Sequence, residues 1–195
     1  KQKKLYDIHP MKEQLLAPIT GSPVRVCTGT TRIAYVGPRR TLKVPRLDAR
    51  GTLLRAERFR EGWSANRIEA ESWQEFRDIV LPTRAYIRAL VSLQPTTEDL
   101  RMSVVDFTDI VERGLGSDVI EQADVAHTFD NPGNFGYDGE AVRLRDFGDP
   151  RLIAFLRSRR EEVSCFLSAL VQVEVLSRRL DLEGGPQEFP DGREE

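Results

Sequence analysis

Residues 23–45 read PVRVCTGTTRIAYVGPRRTLKVP, and this stretch decides the fold. Short runs with strand-like patterning cover residues 24–27, 32–36 and 41–44, and Gly and Pro lie between them. Alternation with a period of two is typical of strands with one buried face, and Gly and Pro mark the turns. The stretch therefore predicts three antiparallel strands in a meander. Pro45 either ends the third strand or confines it to a sheet edge.

Lys43 is the most informative residue of this stretch. The chain has 29 basic residues, but its other lysines are Lys1, Lys3, Lys4 and Lys12, all in the amino-terminal segment. Lys43 lies instead within the apolar run of the third predicted strand. An ammonium group pairs with phosphate or carboxylate as a point charge, unlike the planar guanidinium of arginine. Lys43 is therefore a candidate phosphate-binding residue.

A helix predicted from Ser64 to about residue 80 carries a candidate partner for Lys43. Ser64 is its predicted N-cap, and Pro82 stops it. One face of this helix combines a carboxylate with three apolar side chains: Glu69, Trp73, Phe76 and Val80. A buried carboxylate needs a partner because an unpaired buried charge is very costly. Lys43 is the natural partner, and the alternative is that Glu69 lies at the edge of the apolar face and reaches water.

Shorter patterns predict the remaining elements. In chain order, these are a lead over residues 1–22 with a short helix at 11–17, a loop or frayed helix at 46–62, strands at 86–93 and 102–107, an interrupted helical region at 108–126, and a helix over 150–181. Pro150 suits the first turn of the last helix. Residues 183–195 are rich in Gly, Pro and Glu, which predicts disorder.

A hairpin is predicted between residues 135 and 144, because Asp138-Gly139 is a strong two-residue turn signal. Asn134 precedes the first arm, and Asp146-Phe147-Gly148 follows the second. The two arms of one hairpin can bring an amide oxygen and a carboxylate to a single ion. Mg²⁺ takes oxygen ligands. The spacing therefore permits Asn134 and Asp146 to reach a single metal ion.

In order and spacing, these features resemble the protein-kinase-like fold, and in particular the small kinase-like proteins that some bacteriophages encode. The resemblance covers residues 23–148. It implies a compact bilobal α+β protein, with an antiparallel sheet and one helix in the first lobe and a short, mostly helical second lobe. The lobes would comprise residues 23–107 and 108–182, between the lead at 1–22 and a tail at 183–195.

The resemblance also implies ATP and Mg²⁺ as cofactors. Lys43 would pair with the α- and β-phosphates and be held by Glu69. Asn134 and Asp146 would hold Mg²⁺. Gly29 is the single glycine that remains of the loop that covers the phosphates in that family.

The catalytic loop departs from the family pattern. His127 and Asn134 keep the family spacing, but Phe129 stands where the catalytic aspartate belongs, and Asp130 follows one residue late. Asp130 is the candidate catalytic base, although a shift of one residue redirects a side chain in a loop. The chain after Asp146 is short, which leaves little room for the helices that dock protein substrates in large kinases.

Three functions are compatible with these features. The first is a pseudokinase that binds Mg-nucleotide and acts as an interaction or regulatory protein, phage-encoded and directed at a host protein. The second is an active minimal phosphotransferase that uses ATP. The third is an unrelated α+β binding module in which the motif is accidental.

Composition limits the partners and the location. At 195 residues the chain fits one domain or two small lobes, and its formal charge of −2 gives no reason to expect nucleic acid or an anionic membrane. No apolar stretch is long enough to cross a bilayer, and the amino terminus lacks a signal-peptide core. Cys27 and Cys165 show no metal-ligand spacing and indicate reduced thiols, so we expect a cytoplasmic protein. The helix at 150–181 offers a face for a homodimer.

Overall fold

The computed structural model describes residues 5–7, 10–47 and 52–183. In these residues it shows an α+β architecture that combines a six-stranded antiparallel sheet, a two-stranded sheet and several helices. The α+β class expected from the sequence is therefore confirmed. The predicted tail from residue 184 onward lies outside the described residues.

The large sheet has the strand order β1-β2-β3-β4-β6-β5. Its strands are β1 (Leu5–Asp7), β2 (Arg25–Thr28), β3 (Arg32–Val36), β4 (Arg40–Pro45), β5 (Arg84–Tyr86) and β6 (Val91–Pro95). The predicted meander is confirmed as β2, β3 and β4, and Pro45 is the last residue of β4. β1 lies in the predicted lead but pairs with β2, so the lead contributes a strand to the sheet. The lead also forms α1 (Pro10–Thr20), which confirms the predicted short helix.

The helix that carries Glu69 is α2 (Thr52–Ser72), so the predicted bounds were wrong at both ends. Ser64 lies within the helix rather than at its N-cap. Leu, Arg, Ala and Glu before Ser64 are strong helix formers, and they extend the helix toward the amino terminus. Gly62 is there because the helix passes close to the sheet: a Cβ at Gly62 would lie 2.4 Å from the carbonyl oxygen of Thr31. The segment after Ser72 forms turns.

The strand predicted at residues 86–93 is also wrong, because the chain reverses there. β5 and β6 are joined by a tight turn in which Ile87, Arg88 and Ala89 all have positive φ angles of 51°, 52° and 67°. Non-glycine residues rarely adopt this conformation, so the sequence of this segment does not indicate a turn.

The strand predicted at residues 102–107 is instead the start of α3 (Val104–Leu115). Ser103 caps this helix by accepting a hydrogen bond from the backbone N–H of Asp106. Phe107, Val111 and Leu115 are buried at spacings of four residues. The cap and the helical period outweigh the strand preference of the β-branched residues Val104 and Val105.

The second half of the chain builds the main hydrophobic core. Its elements are α4 (Ser117–Gln122), α5 (Ala126–Phe129), β7 (Phe135–Tyr137), β8 (Val142–Leu144), α6 (Pro150–Ser158) and α7 (Arg160–Glu183). The predicted hairpin is confirmed as β7 and β8, and the predicted helix at 150–181 is broken at Arg159. Fully buried phenylalanine rings fill this core: Phe76, Phe107, Phe129, Phe135, Phe147 and Phe166. Leu176, on α7, is 58% exposed.

The hairpin is tied to the segment that follows α2. The backbone N–H of Leu144 donates to the carbonyl of Ile79 at 2.9 Å, and the N–H of Leu81 donates to the carbonyl of Leu144 at 3.0 Å. β8 and the residues after α2 therefore hold fixed positions relative to each other, which places Asp146 opposite the large sheet. No helix in the part of the chain that the structure describes is both long and apolar enough to span a membrane. Cys27 and Cys165 are not joined in a disulfide.

Candidate functional site

A cleft of about 760 Å³ lies between the large sheet and the β7–β8 hairpin. Strands β2, β3 and β4 supply one wall, and the segment after β6 together with the hairpin supplies the other. Its volume is in the range of small-molecule sites. Four cationic and four acidic side chains line it: Arg25, Arg32, Lys43, Arg145, Glu98, Asp99, Asp138 and Asp146.

Lys43 and Glu69 meet at the inner end of this cleft. The Nζ of Lys43 lies 3.1 Å from Oε1 and 3.3 Å from Oε2 of Glu69, and it also donates to the carbonyl oxygen of Arg145 at 2.5 Å. The Glu69 side chain is fully buried, and that of Lys43 is 9% exposed. The predicted contact is thus present, and the alternative in which Glu69 reaches water is wrong.

Arg32 joins this pair, and sequence reasoning missed it. Its Nη2 donates to Oε1 of Glu69 at 2.7 Å and also to Oδ1 of Asp146. Its Nη1 donates to Oδ1 of Asn66 at 3.2 Å. Arg32 begins β3, and alternation along that strand places it on the cleft side with Ala34 and Val36. Alternation was the one available signal, but it does not distinguish an inward arginine from an outward one.

The burial of these charges shifts two pKa values in opposite directions. Desolvation lowers the pKa of Lys43 below its ordinary value, and the charge of Glu69 only partly offsets this. Desolvation also disfavours the charge on Arg32, but the carboxylates of Glu69 and Asp146 outweigh it and raise the pKa of the guanidinium. Arg32 is therefore the firmly charged cation of the site, whereas Lys43 depends on Glu69 to keep its proton.

Further polar side chains hold Glu69 in place. The amide of Gln94 donates to Oε2 of Glu69 at 3.2 Å, and the backbone N–H of Phe147 donates to Oε1 at 3.3 Å. Asn66, which accepts from Arg32, also accepts from the hydroxyl of Ser92 at 3.0 Å. Sequence reasoning missed these supports as well, because Ser92 and Gln94 fall in an ordinary strand pattern.

Asn134 and Asp146 flank the hairpin as predicted, and the structure gives each side chain a partner within the protein. The amide nitrogen of Asn134 donates to the carbonyls of His127 and Thr128 at 3.3 and 3.1 Å, and Asn134 is not among the described residues that line the cleft. The carboxylate of Asp146 lines the cleft and pairs with Arg32. Within residues 5–7, 10–47 and 52–183, no three His, Cys, Asp or Glu side chains cluster closely enough to hold a metal ion. Of the two predicted ligands, only Asp146 is among the described residues that line the cleft, and a magnesium ion there would have to compete with the guanidinium of Arg32 for its carboxylate.

Gly29 lines the cleft at the β2–β3 turn. Its N–H donates to the carbonyl of Arg32 at 2.9 Å, so this turn closes on itself instead of presenting that N–H to a ligand.

Asp130, the candidate base, is exposed and is not among the described residues that line the cleft. Phe129, at the position of the family's catalytic aspartate, is fully buried. Its ring lies 5.6 to 6.0 Å from the rings of Phe135, Phe155 and Phe166. The side chain that the resemblance aligns with the catalytic aspartate is therefore part of the aromatic core.

No family model matches the chain, and comparisons with curated proteins and with solved structures give no significant match. Its function is therefore inferred from the geometry of the cleft.

Proposed function

We propose that this protein has the protein-kinase-like fold and acts as a pseudokinase, which binds a nucleotide in its cleft and works through a protein partner. In line with the small bacteriophage proteins that it resembles, that partner is a host protein. The pairing of Lys43 with Glu69 at the inner end of a cleft of about 760 Å³ carries the proposal.

The arrangement of elements supports the fold part of this proposal. An antiparallel sheet packed mainly against α2, with α1 also in contact with β3 and β4, forms one wall of the cleft, and a hairpin backed by helices forms the other. The lysine lies on the sheet, its carboxylate partner on the helix and Asp146 just after the hairpin, in the order that the resemblance implies.

The donors at the inner end of the cleft support nucleotide binding. An ammonium has three N–H donors. Lys43 contacts both carboxylate oxygens of Glu69 and the carbonyl oxygen of Arg145. The two carboxylate oxygens can share one donor, which leaves another for a phosphate oxygen. The cleft also has apolar surface beside the charged end, from residues such as Ala34, Val36 and Leu81. A planar base needs such surface.

The catalytic loop favours a pseudokinase over an active enzyme. A general base must lie within hydrogen-bond reach of the proton that it removes. Phe129 is locked into the core, and Asp130 is exposed outside the cleft lining. The proposal therefore assigns phosphate binding to the cleft without phosphate transfer.

Nucleotide binding is tested by isothermal titration calorimetry and thermal shift with ATP, both in EDTA and in Mg²⁺. We expect the wild type to bind and to be stabilised by mass action, and Lys43→Met to lose at least about tenfold in affinity. Arg113→Met is the matched control, since its side chain is 84% exposed on α3. If the wild type binds no nucleotide under either condition, the chain is an unrelated α+β binding module.

Phosphate transfer is tested separately with γ-labelled ATP, using the protein itself and mixed acceptor proteins. We expect no transfer above that of Lys43→Met. Transfer that depends on Lys43 and is abolished by Asp130→Ala would instead identify the minimal phosphotransferase.

A further inference from the structure

The guanidinium of Arg32 lies against the carboxylate that the resemblance assigns to the metal ion. Its Nη2 donates to Oδ1 of Asp146 and to Oε1 of Glu69, while its Nη1 donates to Oδ1 of Asn66. The Arg32 side chain is only 8% exposed, and it lines the cleft. Acceptors on α2 and on the segment after β8 thus fix a positive charge beside the predicted metal ligand.

We propose that the cleft binds nucleotide without a divalent cation, and that Arg32, together with Lys43, donates hydrogen bonds to the phosphates. This inference rests on the proposed function and specifies the chemical form of its ligand. The ligand is the free nucleotide anion rather than its Mg²⁺ chelate.

The first reason is the cost of moving Arg32. A metal ion at Asp146 would have to displace a guanidinium that also pairs with the fully buried Glu69. The Asp146 carboxylate is 48% exposed, so the penalty is smaller than for a fully buried pair, but the guanidinium is 8% exposed and would lose one of its two charged partners. A magnesium site with a single carboxylate has little binding free energy to offset that loss.

The second reason is that the donor set matches phosphate. The described contacts of Arg32 use three of the five N–H donors of its guanidinium, so two are not used by side chains of the described residues. A guanidinium on phosphate forms charge-assisted hydrogen bonds that are among the strongest in proteins. Arg32 therefore supplies the positive charge that Mg²⁺ supplies at the corresponding place in the family that the chain resembles.

The net charge of Arg32, Lys43, Glu69 and Asp146 predicts how Mg²⁺ should affect nucleotide binding. Arg32 and Lys43 together balance Glu69 and Asp146, so the four groups are close to neutral. Mg²⁺ bound to the phosphates would reduce their attraction to Arg32 and would place a second cation near it. Added Mg²⁺ should thus weaken binding or leave it unchanged.

The direct test is the dissociation constant of the wild type for ATP, measured in millimolar EDTA and in millimolar MgCl₂. We expect the value in EDTA to be equal to or lower than that in MgCl₂. A value at least about tenfold lower in MgCl₂ overturns this inference but leaves the proposed nucleotide binding intact. Absence of binding under both conditions overturns the proposed function and this inference together.

Two variants make the role of Arg32 explicit. Arg32→Met removes the guanidinium from the cleft and from the Asp146 carboxylate, so ATP binding in EDTA should fall at least about tenfold and Mg²⁺ should restore part of it. Asp146→Asn keeps an oxygen acceptor for Arg32 and removes a negative charge near the phosphates. ATP affinity can therefore be measured with this variant even if Arg32→Met fails to fold. We expect Asp146→Asn to bind ATP several-fold more tightly in EDTA. Weaker ATP binding by Asp146→Asn in MgCl₂, and above all loss of that binding, would show that the carboxylate holds a metal.

Discussion

The backbone N–H of Phe147 donates to Oε1 of Glu69 at 3.3 Å, across 78 residues of sequence. This hydrogen bond joins α2 to the Asp146-Phe147-Gly148 turn, and the same carboxylate also receives Lys43 and Arg32. Glu69 therefore connects the sheet, α2 and the segment after the hairpin. The carboxylate thus makes a contact with each of these three parts of the fold.

Loss of the Glu69 charge should destabilise the whole protein. In Glu69→Gln, two buried cations, Lys43 and Arg32, face each other with only Asp146 to balance them, and we expect a cost of about 3–5 kcal/mol in the free energy of unfolding. Urea denaturation measures this. The matched control is Glu71→Gln, whose side chain is 67% exposed and should change stability by less than about 0.5 kcal/mol. Equal stabilities for the two variants would contradict the role of Glu69.

Removing the charge of Lys43 should lower the free energy of unfolding less than removing the charge of Glu69. In Lys43→Met the carboxylate of Glu69 keeps Arg32, Gln94 and the N–H of Phe147 as partners. We therefore expect a loss of only about 1–2 kcal/mol, with the folded structure retained. Circular dichroism and urea denaturation check this. An unfolded Lys43→Met would mean that the lysine is chiefly a structural partner of Glu69.

The same variant tests the electrostatics of Lys43 at alkaline pH. Burial lowers the pKa of Lys43 in the folded protein below the ordinary value of 10.5. Between the folded and unfolded pKa values the unfolded chain binds more protons, so this group makes stability rise as the pH increases toward 10.5. The stability of the wild type minus that of Lys43→Met should increase over this range. A difference that stays flat or falls with pH would contradict the lowered pKa.

Gly148 should be intolerant of a side chain. A Cβ at Gly148 would lie 2.5 Å from the Cβ of Ala65 and 2.7 Å from its Cα, so α2 would have to move. We expect Gly148→Ala to lower the free energy of unfolding by about 1–3 kcal/mol and to weaken nucleotide binding through Glu69. Gly139→Ala separates this steric effect from backbone strain, because Gly139 has a φ angle of +103° and open space around its Cβ position. Gly139→Ala should leave nucleotide binding unchanged.

Restoring an aspartate at the family's catalytic position should not create an enzyme. Phe129→Asp would place a carboxylate among the rings of Phe135, Phe155 and Phe166. The lost packing alone costs about 3–5 kcal/mol, and a buried unpaired carboxylate adds to it. We expect the variant to be unfolded at neutral pH by circular dichroism, whereas Asp130→Asn, at an exposed position, should keep wild-type stability. A folded Phe129→Asp with phosphotransferase activity would refute the assignment as a pseudokinase.

Local patterns were sufficient to predict the elements whose signals are local. The meander of β2 to β4 follows from alternation between Gly and Pro turns, and the β7–β8 hairpin follows from Asp138-Gly139. The loop or frayed helix predicted at 46–62 belongs in part to α2, which continues through Gly62 because that glycine lets the helix pass close to the sheet. The turn at Ile87, Arg88 and Ala89 contains no glycine, so the sequence did not indicate that the chain reverses there.

The site was predictable where a residue type was unusual and hidden where it was not. A lone lysine in an arginine-rich chain drew attention to Lys43, and the cost of a buried carboxylate then pointed to Glu69. Arg32 is one of many arginines, and its partners Glu69 and Asp146 are 37 and 114 residues away. Only the tertiary fold brings these three together. The metal-binding roles of Asn134 and Asp146 and the nucleotide-binding roles of Lys43 and Gly29 stay predictions.

The placement of Asp146 so late in the chain has a consequence for synthesis on the ribosome. During synthesis the sheet and α2 emerge before Asp146 does. Until Asp146 is made, Glu69 is the only one of these two carboxylates that can balance the positive charges of Arg32 and Lys43. The first half of the chain also lacks the backbone partner that Leu144 gives to Ile79 and Leu81. A nascent or truncated chain that stops before the β7–β8 hairpin cannot complete its own interior, and it is the species that chaperones and proteases would meet first.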